Sequence, residues 1–173
     1  MSKKAISTLS RMKIDWYANG RDSFSLGFRA LAVHRIAELG LRLNNKILRF
    51  LVWRVYWFFQ RHCRNRGIEI HPLTKIGLNV NICHQGGIVF HPAAVIEDGC
   101  RIRHGVTLGA ASSRRSQQAP HLEKNVDIGV GAAILGGITV GEGTRIGANV
   151  VLTESVAAGS IVMVEKPLVI NNQ

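Results

Sequence analysis

The chain has few cysteines, no long apolar run and, over its first third, almost no acid. Cys63, Cys83 and Cys100 are its only thiols. Their odd number and lack of metal-ligand spacing exclude a disulfide framework and a cysteine-built metal site, and read as free thiols in a reducing compartment. No run of about 18 uninterrupted apolar residues exists, so no transmembrane span is expected. The opening MSKKAISTLSRMKIDW has neither the apolar stretch nor the small-residue cleavage site of a secretory signal, and a cytoplasmic protein is expected. Residues 1–66 hold 14 Lys or Arg against Asp15, Asp22 and Glu38, whereas the remainder holds 8 basic and 8 acidic residues, so the net charge of +11 belongs to the front. A neutral body argues against a nucleic-acid grip by the whole protein. A basic front suits a membrane surface or an acidic substrate.

What is present is a six-residue period. Leu122, Ile128, Ile134, Val140, Ile146, Leu152, Ala158 and Val164 form one aliphatic run, Phe90, Ile96, Ile102 and Leu108 a second, and Ile70, Ile76, Ile82 and Ile88 a third. This period matches neither an amphipathic helix nor one long strand. It matches hexapeptide repeats of a parallel β-helix, in which each short strand sends one aliphatic side chain inward. Three hexapeptides make a coil, so residues 70–164 give roughly five coils. The third and second runs are offset by two residues, between Ile88 and Phe90, which lengthens that coil and stacks Ile82 on Ile102, Cys83 on Arg103 and His84 on His104. Residues 109–121, GAASSRRSQQAPH, interrupt the period as an outward loop, a common carrier of function on a rigid scaffold.

The front reads as helical. Over residues 24–43, Phe28, Leu31, Ala32, Ile36, Leu39 and Leu43 share a face, and Asn44-Asn45 is a stop signal. Residues 46–64 read as a second helix, apolar nearly all round with interspersed arginines. It either packs against a partner element or subunit, or lies in a membrane interface. Both helices are placed to cover the open edge of the first coil. The expected division is a helical segment at 1–67, a β-helix at 68–166 and a tail at 167–173.

The segments IRHGVTLG, IGVGAAILGGITVGEGTRIGANVVL and IEIHP with ICHQGGIVF resemble serine acetyltransferases of the hexapeptide-repeat acyltransferase superfamily. They are most similar to its short members that acetylate exopolysaccharides of the colanic-acid type. The resemblance spans about residues 15–166 and implies a left-handed β-helix, a homotrimer, acetyl-CoA as donor, no metal, and an active site between subunits. It also places the family's catalytic histidine at His84. The carboxylate that precedes this histidine in the family is Cys83 here, and an aspartate elsewhere in the site is Glu69. The Arg-His pair that handles the amino-acid substrate aligns with Gln118-Ala119. For the donor, Gly109, Ala110, Gly131, Ala132 and Ala148 match small positions along the CoA groove, and Arg145 stands where a lysine meets CoA phosphate. Arg114 and Arg115 are further candidates for a phosphate or an acidic glycan.

Acetyl transfer to an alcohol needs a base for the hydroxyl proton and donors for the developing oxyanion. An imidazole suits the first role because this side chain titrates near neutrality. His84 is the expected base, with His104 orienting it or touching the acceptor. Glu69, Cys83, Arg103 and Gln118 are the candidate acceptor contacts. His71 and His91, each before a proline, read as corner residues. The altered serine grip points to a sugar hydroxyl of an exopolysaccharide or capsule precursor. A serine O-acetyltransferase of cysteine synthesis and a non-catalytic β-helix scaffold are the alternatives, and the aromatic, arginine-bearing helix suggests a peripheral membrane contact.

Overall fold

A computed structural model describes residues 6–112, 114 and 117–165. Arg115 and the tail at 167–173 lie outside the described residues. Three helices, α1 (Thr8–Ala18), α2 (Leu26–Arg42) and α3 (Lys46–Arg64), precede fourteen short strands, β1 (Ile68–Ile70), β2 (Lys75–Ile76), β3 (Asn81–Cys83), β4 (Ile88–Phe90), β5 (Val95–Ile96), β6 (Arg101–Arg103), β7 (Thr107–Gly109), β8 (His121–Leu122), β9 (Asp127–Ile128), β10 (Ala133–Leu135), β11 (Thr139–Val140), β12 (Arg145–Ile146), β13 (Val151–Leu152) and β14 (Ile161–Val162). The strands form three parallel sheets. Sheet A has the order β1-β4-β7-β10-β13, sheet B β2-β5-β8-β11 and sheet C β3-β6-β9-β12-β14. The chain visits A, B and C in turn, which makes a β-helix with three kinds of corner.

The inward column is the one expected from the period. Ile82 pairs with Ile102, 20 residues on, so the coil from β3 (Asn81–Cys83) to β6 (Arg101–Arg103) has the two extra residues, and Ile102 pairs with Ile128, 26 residues on, across the coil that carries the loop at 109–121. Ile82, Ile88, Phe90, Ile96, Ile102, Leu108, Leu122, Ile128 and Ile134 are all buried. The phase shifts after Leu152. Val156 pairs with Val140 and Val162 with Ile146, while Ala158 and Val164, expected inside, are exposed. Both phases are aliphatic there, and the shorter connection at 153–155 puts two valines on the core instead of Ala158 and Val164.

The helices close the edge of the first coil with side chains, α3 at sheet A, α2 with Arg11 of α1 at sheet B, and the end of α1 at sheet C. Gln60 of α3 donates to the carbonyl of Ile70 at 3.1 Å. Arg35 of α2 donates to Ile76 at 2.8 Å and to Gly77 at 2.5 Å. Asn19, which ends α1, donates to Val80 at 3.0 Å and accepts from the Ile82 amide at 3.0 Å. These groups replace the ladder that an edge strand lacks, and an edge so covered recruits no foreign strand. Close approach also requires Gly27, since a Cβ there would lie 2.2 Å from the Ile82 carbonyl oxygen.

This arrangement corrects the expected face of α2. Its buried side chains include Leu26, Ala30, Leu31, Val33, His34 and Ala37, and Arg35 is fully buried, paired with the equally buried Asp15 of α1 at 2.8 Å. The helix lies between α1, α3 and the first coil, so its polar side is covered as well. Helix α1 has no apolar stripe to announce it; its only buried side chain is Asp15. Asn45, expected to end α2, instead caps the start of α3 by accepting from the Ile47 and Leu48 amides, both at 3.0 Å.

His34 is 1% exposed, and neither ring nitrogen has a hydrogen-bond partner among the described residues. Its nearest acid, Glu38, is 3.9 Å away. Burial first, then the nearby Arg35, Arg11 and His71 charges, push its pKa from 6.5 down to about 3. The unfolded chain therefore binds a proton that the folded chain refuses, so this contribution to stability is present above pH 6.5 and lost as pH falls toward 3. Between pH 7 and pH 5 it amounts to about 2 kcal/mol. Thermal melts of the parent and His34→Gln at both pH values are expected to show a stability difference smaller by that amount in the variant. Equal losses in the two proteins would assign the acid sensitivity elsewhere.

Candidate active site

His84 and His104 follow β3 and β6, at the corner where the chain leaves sheet C for sheet A. The coil register stacks them, with ring centroids 5.8 Å apart and ring planes at 78°. Both are exposed. His84 has a φ of 65°, a left-handed conformation that histidine adopts more readily than most side chains, and Gly86 and Gly87 complete the bend with φ of 110° and 66°. The bend thus sets where the imidazole leaves the corner, beside His104 and open to solvent.

The connection from α1 to α2 forms the opposite wall. Asp22, Phe24, Ser25, Leu26 and Gly27 enclose with His84, Gln85 and His104 a cleft of about 510 Å³. Asp22 is fixed by accepting from the Phe24 amide at 2.8 Å. The Ser25 side chain makes no capping hydrogen bond, so the first turn of α2 faces the cleft without a side-chain cap. Asp22 and this helix start were not among the expected site residues. An irregular connection carries no periodic signal, and a lone aspartate in it looks like any surface acid.

Cys83 and Arg103 pair across sheet C, as the stacking predicted. Neither lines the cleft. Arg103 turns to Asp127 of the next coil, at 2.5 Å. The Cys83 thiol donates to the Asn81 side-chain oxygen, and the Asn81 amide donates to the Ala18 carbonyl, tying this strand to α1. Burial pushes the Cys83 thiol pKa up, which keeps it protonated and a weak nucleophile.

The other expected residues distribute over two further regions. Ala148 is exposed on the same corner as the histidines, two coils beyond His104, and Arg145 is exposed on the outer face of sheet C. Gly131 shares that corner, but its φ of 70° and the absence of room for a Cβ, which would lie 2.3 Å from Asn149 Oδ1, explain the glycine by coil geometry. Ala132 is a core residue with no exposure, and its carbonyl accepts from Thr107, so its side chain cannot line a groove. It occupies the inward position that Val106 and Val150 hold in neighbouring coils. Gly109, Ala110 and Gln118 lie at the corner between sheets A and B, with Gln118 against Gly137. His71 and His91 share that corner, where each accepts an amide two residues on, at 3.2 and 3.1 Å, as corner residues do. Glu69 is on the outer face of sheet A, 3.8 Å from Arg64. Within one subunit, therefore, the histidines are not brought to Glu69, Gly109, Ala110 or Gln118.

No protein-family profile matches the chain. In sequence it is 34% identical over 137 residues to the serine acetyltransferase of Synechococcus elongatus, covering 79% of this chain and 54% of that protein. It is 44% identical over 94 residues to the serine acetyltransferase of Helicobacter pylori, covering 54% of this chain and 55% of the relative. Among solved structures, Entamoeba histolytica serine acetyltransferase isoform 3, in complex with cysteine, aligns with a TM-score of 0.76 at 27% identity over 96% of this chain and 62% of that one. Brucella abortus serine acetyltransferase, in complex with coenzyme A, aligns with a TM-score of 0.70 at 28% identity over 87% and 63%. The chain spans little more than half the length of the relatives it matches in sequence.

These relatives overturn the sugar-acceptor expectation. The relatives to which the chain is similar in both sequence and structure are serine acetyltransferases, and they point to serine rather than to a sugar of an exopolysaccharide. The substitutions at Cys83 and Gln118 suggested another acceptor, but Cys83 is engaged with Asn81, and the cleft at the histidines has its own carboxylate in Asp22. The β-helix is the left-handed one of these structures. From the six-residue repeat, the three-sheet winding and these similarities, the chain belongs to the hexapeptide-repeat acyltransferase superfamily.

Proposed function

We propose that the chain transfers acetyl from acetyl-CoA to the hydroxyl of serine. The observation that carries this reading is the cleft itself, where two stacked imidazoles face a carboxylate and the start of α2. A free amino acid offers a hydroxyl, an ammonium and a carboxylate. The imidazoles suit the first and Asp22 the second. The amides of the first turn of α2, at the positive end of the helix dipole, suit the third. A sugar hydroxyl has no use for the last two.

In this scheme His84 takes the proton of the serine hydroxyl as its oxygen attacks the thioester carbonyl carbon. The C–S bond then breaks, and the proton passes from the imidazolium to the departing CoA sulfur, giving O-acetylserine and CoA. Ala148 and Arg145, both exposed, are the residues of this chain best placed to meet CoA beyond the histidines. Gly109, Ala110 and the loop carrying Gln118 lie across sheet A from the histidine corner. A homotrimer in which the loop corner of one subunit faces the histidine corner of the next would bring these parts together. Such a trimer in the cytoplasm, where acetyl-CoA is made, is the assembly this reading favours.

The test is thiol release from acetyl-CoA with serine, threonine and a nucleotide sugar as acceptors. Release that depends on serine and not on the sugar is expected, and its absence would refute the proposal. Asp22→Asn is expected to raise KM for serine roughly tenfold with a much smaller change in kcat, the loss of one charge-assisted contact.

A further inference from the structure

Helix α3 carries two opposite stripes. Tyr56, Gln60 and Cys63 face inward and are buried. On the other side, Ile47, Phe50, Leu51, Arg54, Trp57, Phe58 and Arg61 recur at helical spacing and are all exposed, Ile47 and Phe58 to 74%. Every charged side chain of the helix is basic: Lys46, Arg49, Arg54, Arg61 and Arg64. Among the described residues, an acid reaches the charged groups of α3 only at Arg64, through Glu69. Arg54, Trp57, Phe58, Arg61, Arg64, Asn65 and Glu69 line an open cleft of about 860 Å³ on this side. No described helix is long and apolar enough to cross a membrane.

We propose that this face docks the protein onto an anionic phospholipid surface, with Trp57 and Phe58 entering the headgroup boundary between Arg54 and Arg61, which hold lipid phosphate. Charge selects this occupant. A second copy of the same face would set arginine against arginine, in a front segment whose charge is +11. A bilayer rich in anionic lipid attracts each of these groups and accepts the aromatic stripe as well. The contact is independent of the acetyl-transfer reading, because none of its residues lines the histidine cleft.

The test is co-sedimentation of the full chain with vesicles of phosphatidylcholine alone and of phosphatidylcholine with phosphatidylglycerol in a three-to-one mixture. Binding to the anionic vesicles alone, reversed by high salt, is expected. Arg54→Gln/Arg61→Gln should lower the partition coefficient roughly thirtyfold, at about one surface-charge increment per arginine removed. Trp57→Ser/Phe58→Ser should lower it about tenfold with the salt dependence retained. Circular dichroism checks that both variants remain folded, and sedimentation velocity gives their assembly state. Absence of binding at low salt, binding unchanged in both variants, or a change of assembly state in either variant would overturn the proposal, the last by assigning the face to another subunit.

Discussion

His84→Asn is expected to lower serine-dependent CoA release by about 10²–10⁴-fold, the usual worth of a general base, with no loss of thermal stability. The choice of asparagine matters. His84 sits at a φ of 65°, and asparagine tolerates that region, whereas alanine adds backbone strain that confuses the reading. The ring is exposed, so its removal opens no cavity. His104, stacked at 5.8 Å but on the next coil, is the control. If His84 is the base, His104→Asn costs less and its effect falls mainly on KM. If instead His104→Asn loses the larger factor in kcat, the two roles are exchanged, and turnover of His84→Asn within tenfold of the parent refutes the assignment.

The β-helix was legible because its core obeys one rule, an inward aliphatic residue every sixth position, and nothing distant alters that rule. The same rule located the stacked histidines, since a two-residue slip between Ile88 and Phe90 lengthens a coil by two and shifts His84 onto His104. It failed after Leu152, where two phases are equally apolar and only the local turn decides between them. The cap was illegible for the opposite reason. Asn19, Arg35 and Gln60 look like surface residues, and their value depends on strand carbonyls 41 residues onward, as for Arg35 and Ile76, or 61 onward, as for Asn19 and Val80. Asp22 was missed because its partner in the cleft, His84, is brought near by α2 packing through Gly27, a contact no spacing rule encodes.

Arg35→Leu should be the most destabilising single change in the helical cap, about 3–5 kcal/mol. Arg35 and Asp15 are both fully buried, with the guanidinium giving 2.8 Å and 3.3 Å bonds to the Asp15 carboxylate while also satisfying the Ile76 and Gly77 carbonyls. Removing it strands a buried carboxylate and the Gly77 carbonyl at once, on the edge of the first coil, and leaves the Ile76 carbonyl to Arg11 alone at 3.2 Å. Leucine fills much of the volume but answers none of these groups. The double variant Asp15→Asn/Arg35→Leu removes the stranded charge and leaves the carbonyls, so it should recover at least about 1 kcal/mol of the loss, and the remainder measures the edge cap. Thermal and urea unfolding at one fixed protein concentration, followed by circular dichroism, separates these amounts, because association would otherwise shift the midpoints. A single-variant loss below about 1 kcal/mol would mean that water enters the edge and that the helices are held by their apolar contacts alone.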